Sequence, residues 1–131
     1  MLTIFAVPKA FNGHIATIQR NAIYSWTRLR PVCEIILLGE DKGTAEISKK
    51  FGLRHIPDVQ TNEYGTPLLN SIFTITQQAA SNPFVCYINA DIILLSDFLT
   101  AFQRITMKSF VMMGQRWNID INEAIDFNQP D

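Results

Sequence analysis

A chain of 131 residues is the size of one domain, and with 47% hydrophobic against 18% charged residues it has the material for a core and not the make-up of a disordered segment. At this length roughly two-thirds of the unfolded surface is buried on folding, so disulfide or metal staples are not needed. The 11 Lys plus Arg against 12 Asp plus Glu leave a net charge of -1 with no basic stripe, which removes the electrostatic support that nucleic-acid binding requires.

Cys33 and Cys86 each lie in an apolar run and read as buried, reduced thiols. That fits a reducing compartment. The start, MLTIFAVPK, lacks the basic opening and the length of a signal peptide. No apolar run approaches the ~20 residues that a spanning helix needs. The expectation is a cytoplasmic protein without a membrane span.

Residues 2–7 are a short apolar run stopped by Pro8 and predict the first strand. Asn12 is placed to cap a helix over 13–28, whose residues Ile15, Ile18, Ala22, Trp26 and Leu29 step by three or four and predict one buried stripe. Arg30-Pro31 ends it. Residues 33–38 predict the second strand, followed by Gly39-Glu40-Asp41. A helix over 44–51 comes next, with Lys49 and Lys50 in its last turn and Gly52 as its stop. Residues 53–56 predict a third strand broken by Pro57, and 58–65 a polar loop. Thr66-Pro67 has the pattern of a helix start, and Leu68, Ile72, Ile75 and Ala79 give that helix its apolar stripe. Ser96 or Asp97 caps a fourth helix carrying Phe98, Phe102 and Ile105. Residues 110–114 predict a last strand, and 118–131 form a polar, acidic tail.

Between the third and fourth helices lies the stretch PFVCYINADIILLS, residues 83–96. Phe84 to Ile88 read as a fully buried strand rich in β-formers. Polarity then breaks through as Asn89-Ala90-Asp91 before the chain turns apolar again. A carboxylate between two hydrophobic runs costs free energy unless it is solvated, paired or metal-bound. A turn that happens to carry an Asp is the plainer alternative.

Four strand-helix units and a further strand predict an α/β domain over 1–131, with a doubly wound, mainly parallel sheet of order 3-2-1-4 plus a fifth strand. In that order strands one and four are neighbours, and Pro8-Lys9 faces Asn89-Ala90-Asp91 across the crevice where such sheets bind ligands. Gly13 stands alone after the first strand, so neither a dinucleotide fingerprint nor a P-loop is present. His14 and His55 read as surface or loop residues, and no Cys/His cluster has zinc spacing. No serine sits in a Gly-x-Ser-x-Gly elbow.

A strand that ends in such a triplet after three strand-helix units resembles the Asp-any-Asp motif of glycosyltransferases with the GT-A fold, in the manner of the large family-2-like group. The stretches FNGHIATIQRNAIYSW, NEYGTPLLNS and YINADIILLSDFL are similar to a bacterial, mainly cyanobacterial, set of such enzymes. The resemblance spans essentially the whole chain and corresponds to the nucleotide-sugar-binding half of the fold. It implies that Asp91 holds a divalent metal, Mn²⁺ or Mg²⁺. Asn89 stands where the first Asp of the motif is expected, and a neutral amide weakens the implied metal site. The resemblance further implies that Glu40 and Asp41 contact the base or ribose, that Pro8 and Lys9 lie along the nucleotide, and that Asn70 lies near it. Arg20 and Arg116 have the reach for a diphosphate but also read as surface charges.

The implied activity is transfer of a sugar from a UDP- or GDP-type nucleoside-diphosphate sugar to an unknown acceptor. The acceptor-binding half and the catalytic base of such enzymes come after the motif, and this chain has little length there. A truncated, non-catalytic nucleotide- or partner-binding domain is therefore the alternative. A sugar-nucleotide-forming nucleotidyltransferase ranks last, because the Gly-rich loop after the first strand is absent. Self-association is left open by the sequence.

Overall fold

The computed structural model describes residues 1–128; Asp131, counted with the acidic tail, lies outside the described residues. Four strands and four helices alternate: β1 (Leu2–Ala6), α1 (Gly13–Thr27), β2 (Glu34–Leu38), α2 (Thr44–Phe51), β3 (Arg54–Ile56), α3 (Leu69–Ala79), β4 (Phe84–Tyr87) and α4 (Ser96–Gln103). The strands form one parallel sheet in the order β3-β2-β1-β4. This is the doubly wound α/β arrangement that the alternation predicts.

Parallel strands need covering on both faces, and the residue alternation of β1 and β2 supplies two cores. Ile4, Ala6, Ile35 and Leu37 point to one face, where Ala22, Ile23 and Trp26 of α1, Ile47 of α2 and Leu99 of α4 cover them. Phe5, Ile36 and Leu38 point to the other, where Ile72 of α3 covers them. Phe5 also meets Phe73 edge-on at 5.0 Å and stacks on Tyr87 at 5.4 Å, which ties α3 to both middle and edge strands.

The amino ends of the strands are joined by a polar network. Thr3 donates to Glu34 at 2.8 Å, Asn82 donates to Thr3 at 3.1 Å, and the Ser81 N–H donates to Glu34 at 2.8 Å. Arg54 stands 3.6 Å from the same carboxylate.

Several sequence expectations are corrected. In the stripe of α1, Ala22, Trp26 and Leu29 are buried as expected, but Ile15 is exposed and Ile18 only half-buried, while Ala16, Gln19 and Ile23 are buried in addition. Helix α3 starts at Leu69 instead of Pro67. The reason is a local turn, in which the Asn62 carboxamide accepts the N–H groups of Tyr64 and Thr66, and Pro67 bridges Thr61. β4 is half-buried, not fully buried, because it lies at the sheet edge. Cys86 is accordingly half-buried, and Cys33 precedes β2 and is buried; both are free thiols.

Among the described residues, 110–114 form no strand. Phe110 packs on Phe84 at 5.1 Å, while Val111 and Met113 are exposed, so the segment lacks the alternating burial that a paired strand has. The acidic tail is docked through residues 123–127. Asn21 donates to the Glu123 carbonyl at 3.0 Å and accepts from the Ile125 N–H at 2.9 Å, and Phe127 lies against Tyr24. No helix among the described residues is long and apolar enough to cross a membrane.

Candidate functional site at the carboxyl edge of the sheet

β1 and β4 pair in parallel with Phe5 opposite Tyr87, and the ladder continues past the strand ends through the Ile88 N–H, which donates to the Phe5 carbonyl at 3.1 Å. The chains leaving these strands therefore emerge side by side: Val7-Pro8-Lys9 from one and Asn89-Ala90-Asp91 from the other. This is the point where the winding of the sheet reverses, and crevices of open α/β sheets form there.

The loops at this edge are fixed by named contacts. Gln19, buried on α1, accepts the Lys9 N–H at 2.7 Å and donates to the Lys9 carbonyl at 2.8 Å. A buried amide that satisfies both groups of one residue leaves that residue a single backbone position. The Phe11 N–H donates to the Lys42 carbonyl at 2.7 Å, linking the loop after β1 to the loop after β2. Gly43 makes this approach possible: its φ is 93°, and a Cβ there would fall 2.6 Å from that of Phe11. The loop after β2 is held in turn by β3, since the Gly39 N–H donates to the Ile56 carbonyl at 2.9 Å and the His55 ring bonds the Gly39 carbonyl at 2.6 Å. His55 thus belongs to a strand and positions the turn that carries Glu40 and Asp41.

The turn after β4 is closed by the Ile92 N–H, which donates to the Asn89 carbonyl at 3.2 Å. Two side chains of α1 hold the next three residues. The Trp26 indole donates to the Ile92 carbonyl at 2.9 Å, and the Ser25 hydroxyl accepts the Leu94 N–H at 3.0 Å. Ala90 is buried between two exposed residues, Asn89 and Asp91. Among the described residues the Asp91 carboxylate takes part in no hydrogen bond and no ion pair. It stands at the rim of a cleft of about 1050 Å³ bounded by β4, α4 and the segment 110–121.

The expected site residues fall into three groups. Lys9, Asn89 and Asp91 lie on the chains that leave the paired strands β1 and β4 and are exposed, and Asp91 lines the cleft; Pro8 is fully buried, so its ring shapes the turn and is closed to a ligand. Glu40 and Asp41 are exposed on the neighbouring loop. Asn70 lies apart, in a recess of about 350 Å³ with Asp58, Gln60 and Thr74, and its side-chain oxygen accepts the Ser71 N–H at 2.9 Å. Arg20 is exposed, and Arg116 donates to Asn118 at 3.2 Å.

Gln19, Ser25 and Gly43 have no place among the residues that the sequence singles out. Gln19 carries a signal, since it stands three residues before Ala22 and seven before Trp26, a polar side chain inside an apolar stripe. Among the described residues no three His, Cys, Asp or Glu side chains gather as a metal cluster. No family model, curated protein or solved structure matches the chain. The fold and the edge geometry define its class, a doubly wound parallel α/β domain with Lys9 and Asp91 exposed on the loops at the switch point.

Proposed function

We propose that the carboxyl edge of the sheet is the donor site of a glycosyltransferase of GT-A type, which transfers a sugar from a UDP- or GDP-type nucleoside diphosphate to an acceptor hydroxyl. The observation that carries the reading is Asp91. It is a carboxylate in the turn that follows β4, exposed at the switch-point edge, with its backbone neighbours held by Trp26 and Ser25 and with no intramolecular partner of its own among the described residues. A side chain so placed has no structural task, and ligands of open α/β sheets bind at this position.

The chemistry needs negative charge to be stabilised on the leaving diphosphate. The carboxylate of Asp91 and the amide oxygen of Asn89 are hard oxygen donors, the type that Mg²⁺ and Mn²⁺ take. One or two protein oxygens are enough when diphosphate oxygens and water complete the shell, so the absence of a three-residue cluster among the described residues is compatible with this role. When bound, such a cation supplies Lewis-acid neutralisation of the diphosphate. Lys9 adds an ammonium on a backbone that Gln19 holds still. Glu40 and Asp41 offer acceptors for ribose hydroxyls. In the transfer, the acceptor oxygen bonds to the anomeric carbon, the bond from that carbon to the diphosphate oxygen breaks, its electron pair leaves with the diphosphate, and the hydroxyl proton passes to solvent.

The alternative is a non-catalytic nucleotide-binding domain of the same fold. The neutral Asn89 beside a lone Asp91 favours it, because binding tolerates a weaker cation site than turnover does. Thermal melts with UDP- and GDP-sugars plus Mn²⁺, read beside release of free nucleotide, separate the cases. Stabilisation with release supports the enzyme, stabilisation without release supports the binding domain, and no stabilisation contradicts both.

A further inference from the structure

The cleft that Asp91 overlooks is unlike the polar crevice beside it. Its fixed wall is made by Phe84 of β4, Phe98 and Phe102 of α4, and Ile92 and Leu94 of the loop between them. All five are partly buried against the main core, so this wall is preformed. The opposite wall is the strap of residues 110–121. It is tied at one end by Phe110, whose ring lies 5.1 Å from that of Phe84, and just beyond its other end by Asn21, which grips Glu123 and Ile125. Between these ties Val111 is 88% exposed and Trp117 is 93% exposed, although both line the cleft. Apolar side chains gathered on one face and left in water mark a binding surface.

Volume and charge narrow the occupant. About 1050 Å³ is at the upper end of the range for small-molecule sites, which runs to roughly 1,000 Å³. The charged residues lining the cleft are Asp91, Asp97 and Arg116, two carboxylates against one guanidinium. This balance disfavours an anionic head group. We propose that the cleft binds a neutral amphiphile, an alcohol with its hydroxyl at the Asp91 end and an aliphatic body along Phe98 and Phe102, and that this alcohol is the acceptor class of the transferase. The acceptor role rests on the donor-site reading; binding of the alcohol does not. Closure of the strap over the body removes Val111 and Trp117 from water.

The test uses the full chain and decanol, with decanoate as the anionic counterpart. Of the two tryptophans Trp26 is fully buried, so a change in emission on titration reports Trp117. Cys86 lines the cleft as a second reporter, and its thiol is pushed up to about 11 by burial and by the neighbouring Cys33, so alkylation is monitored at alkaline pH. Decanol is expected to shift the emission to the blue with saturation and to slow labelling of Cys86. Decanoate is expected to bind roughly tenfold more weakly. Ala101→Phe, which fills the cleft from α4, is expected to weaken decanol binding by a similar factor. Val111→Asp, on the exposed strap, makes the same test without touching a helix. No saturable shift, equal binding of decanoate, or decanol binding unchanged in both variants would overturn the proposal. Decanol binding in a protein that does not bind UDP with Mn²⁺ leaves the amphiphile site standing and removes the donor reading; the converse removes the amphiphile site alone.

Discussion

The indole N–H of Trp26 donates to the carbonyl of Ile92 at 2.9 Å, so a fully buried side chain of α1 holds the residue next to Asp91. With Ser25 on Leu94 and Gln19 on Lys9, this bond couples the packing core to the candidate site. Trp26→Phe keeps an aromatic ring in the core but strips the Ile92 carbonyl of its donor, at a cost of about 1–3 kcal/mol in stability. Hydrogen exchange is expected to accelerate at residues 92–94 more than in β1. Uniform acceleration across the sheet would show that the tryptophan acts only through packing.

Asn21 plays the corresponding part for the C-terminal segment. Asn21→Ala removes both the donor to Glu123 and the acceptor for Ile125, again about 1–3 kcal/mol of interaction. Limited proteolysis is expected to cut the variant faster after residue 118, with the sheet still protected. A cleavage pattern identical to wild type would mean that the tail is held by Phe127 on Tyr24 instead.

The two glycines of the loop after β2 separate strain from steric conflict. Both have left-handed φ, 94° at Gly39 and 93° at Gly43. An added Cβ at Gly39 meets Val7 at an ordinary 3.5 Å, whereas at Gly43 it meets Phe11 at 2.6 Å. Gly39→Ala should cost about 1–3 kcal/mol from backbone strain alone. Gly43→Ala should cost more, and denaturant titration of the pair checks the order.

Glu34 makes stability depend on acid. Desolvation pushes its carboxyl upward, but the Ser81 N–H, the hydroxyls of Thr3 and Ser81, and Arg54 together outweigh it and hold the group below its ordinary value of 4.5. A carboxylate lowered in the folded state contributes stability above its unfolded pKa and loses it as pH falls through the folded value. The stability gap between wild type and Glu34→Gln is therefore expected at neutral pH and should shrink below about 4.5. A gap that is the same at pH 7 and pH 3 would contradict this role.

How far the sequence foretells these relationships depends on where each residue's partner lies. The sheet order comes from strand-helix alternation and the handedness of crossovers, both of which are local or general. The start of α3 departs from expectation because Thr66-Pro67 has a helix-opening pattern, while the Asn62 turn that claims those residues is a side-chain effect. Residues 110–114 have strand-forming composition, but the segment meets β4 through the Phe110 ring and forms no strand among the described residues. Ile15 is exposed against expectation because the face of α1 is chosen by Gln19, Ser25 and Trp26, whose hydrogen bonds reach Lys9, Leu94 and Ile92. Polarity reads as exposure until those distant backbone groups are known. Asp91 is legible because a carboxylate after an apolar run is conspicuous in any register.

Asp91 also gives the most direct measurement. The side chain is exposed and has no intramolecular partner among the described residues, so Asp91→Ala should leave the melting temperature unchanged. Isothermal titration with UDP and Mn²⁺ should show binding to wild type and a loss of roughly ten- to hundredfold in the variant, the worth of one charge-assisted contact of about 1.5–3 kcal/mol. A wild type that binds no nucleotide with or without metal, or a variant that melts lower yet binds as before, would contradict the donor-site assignment.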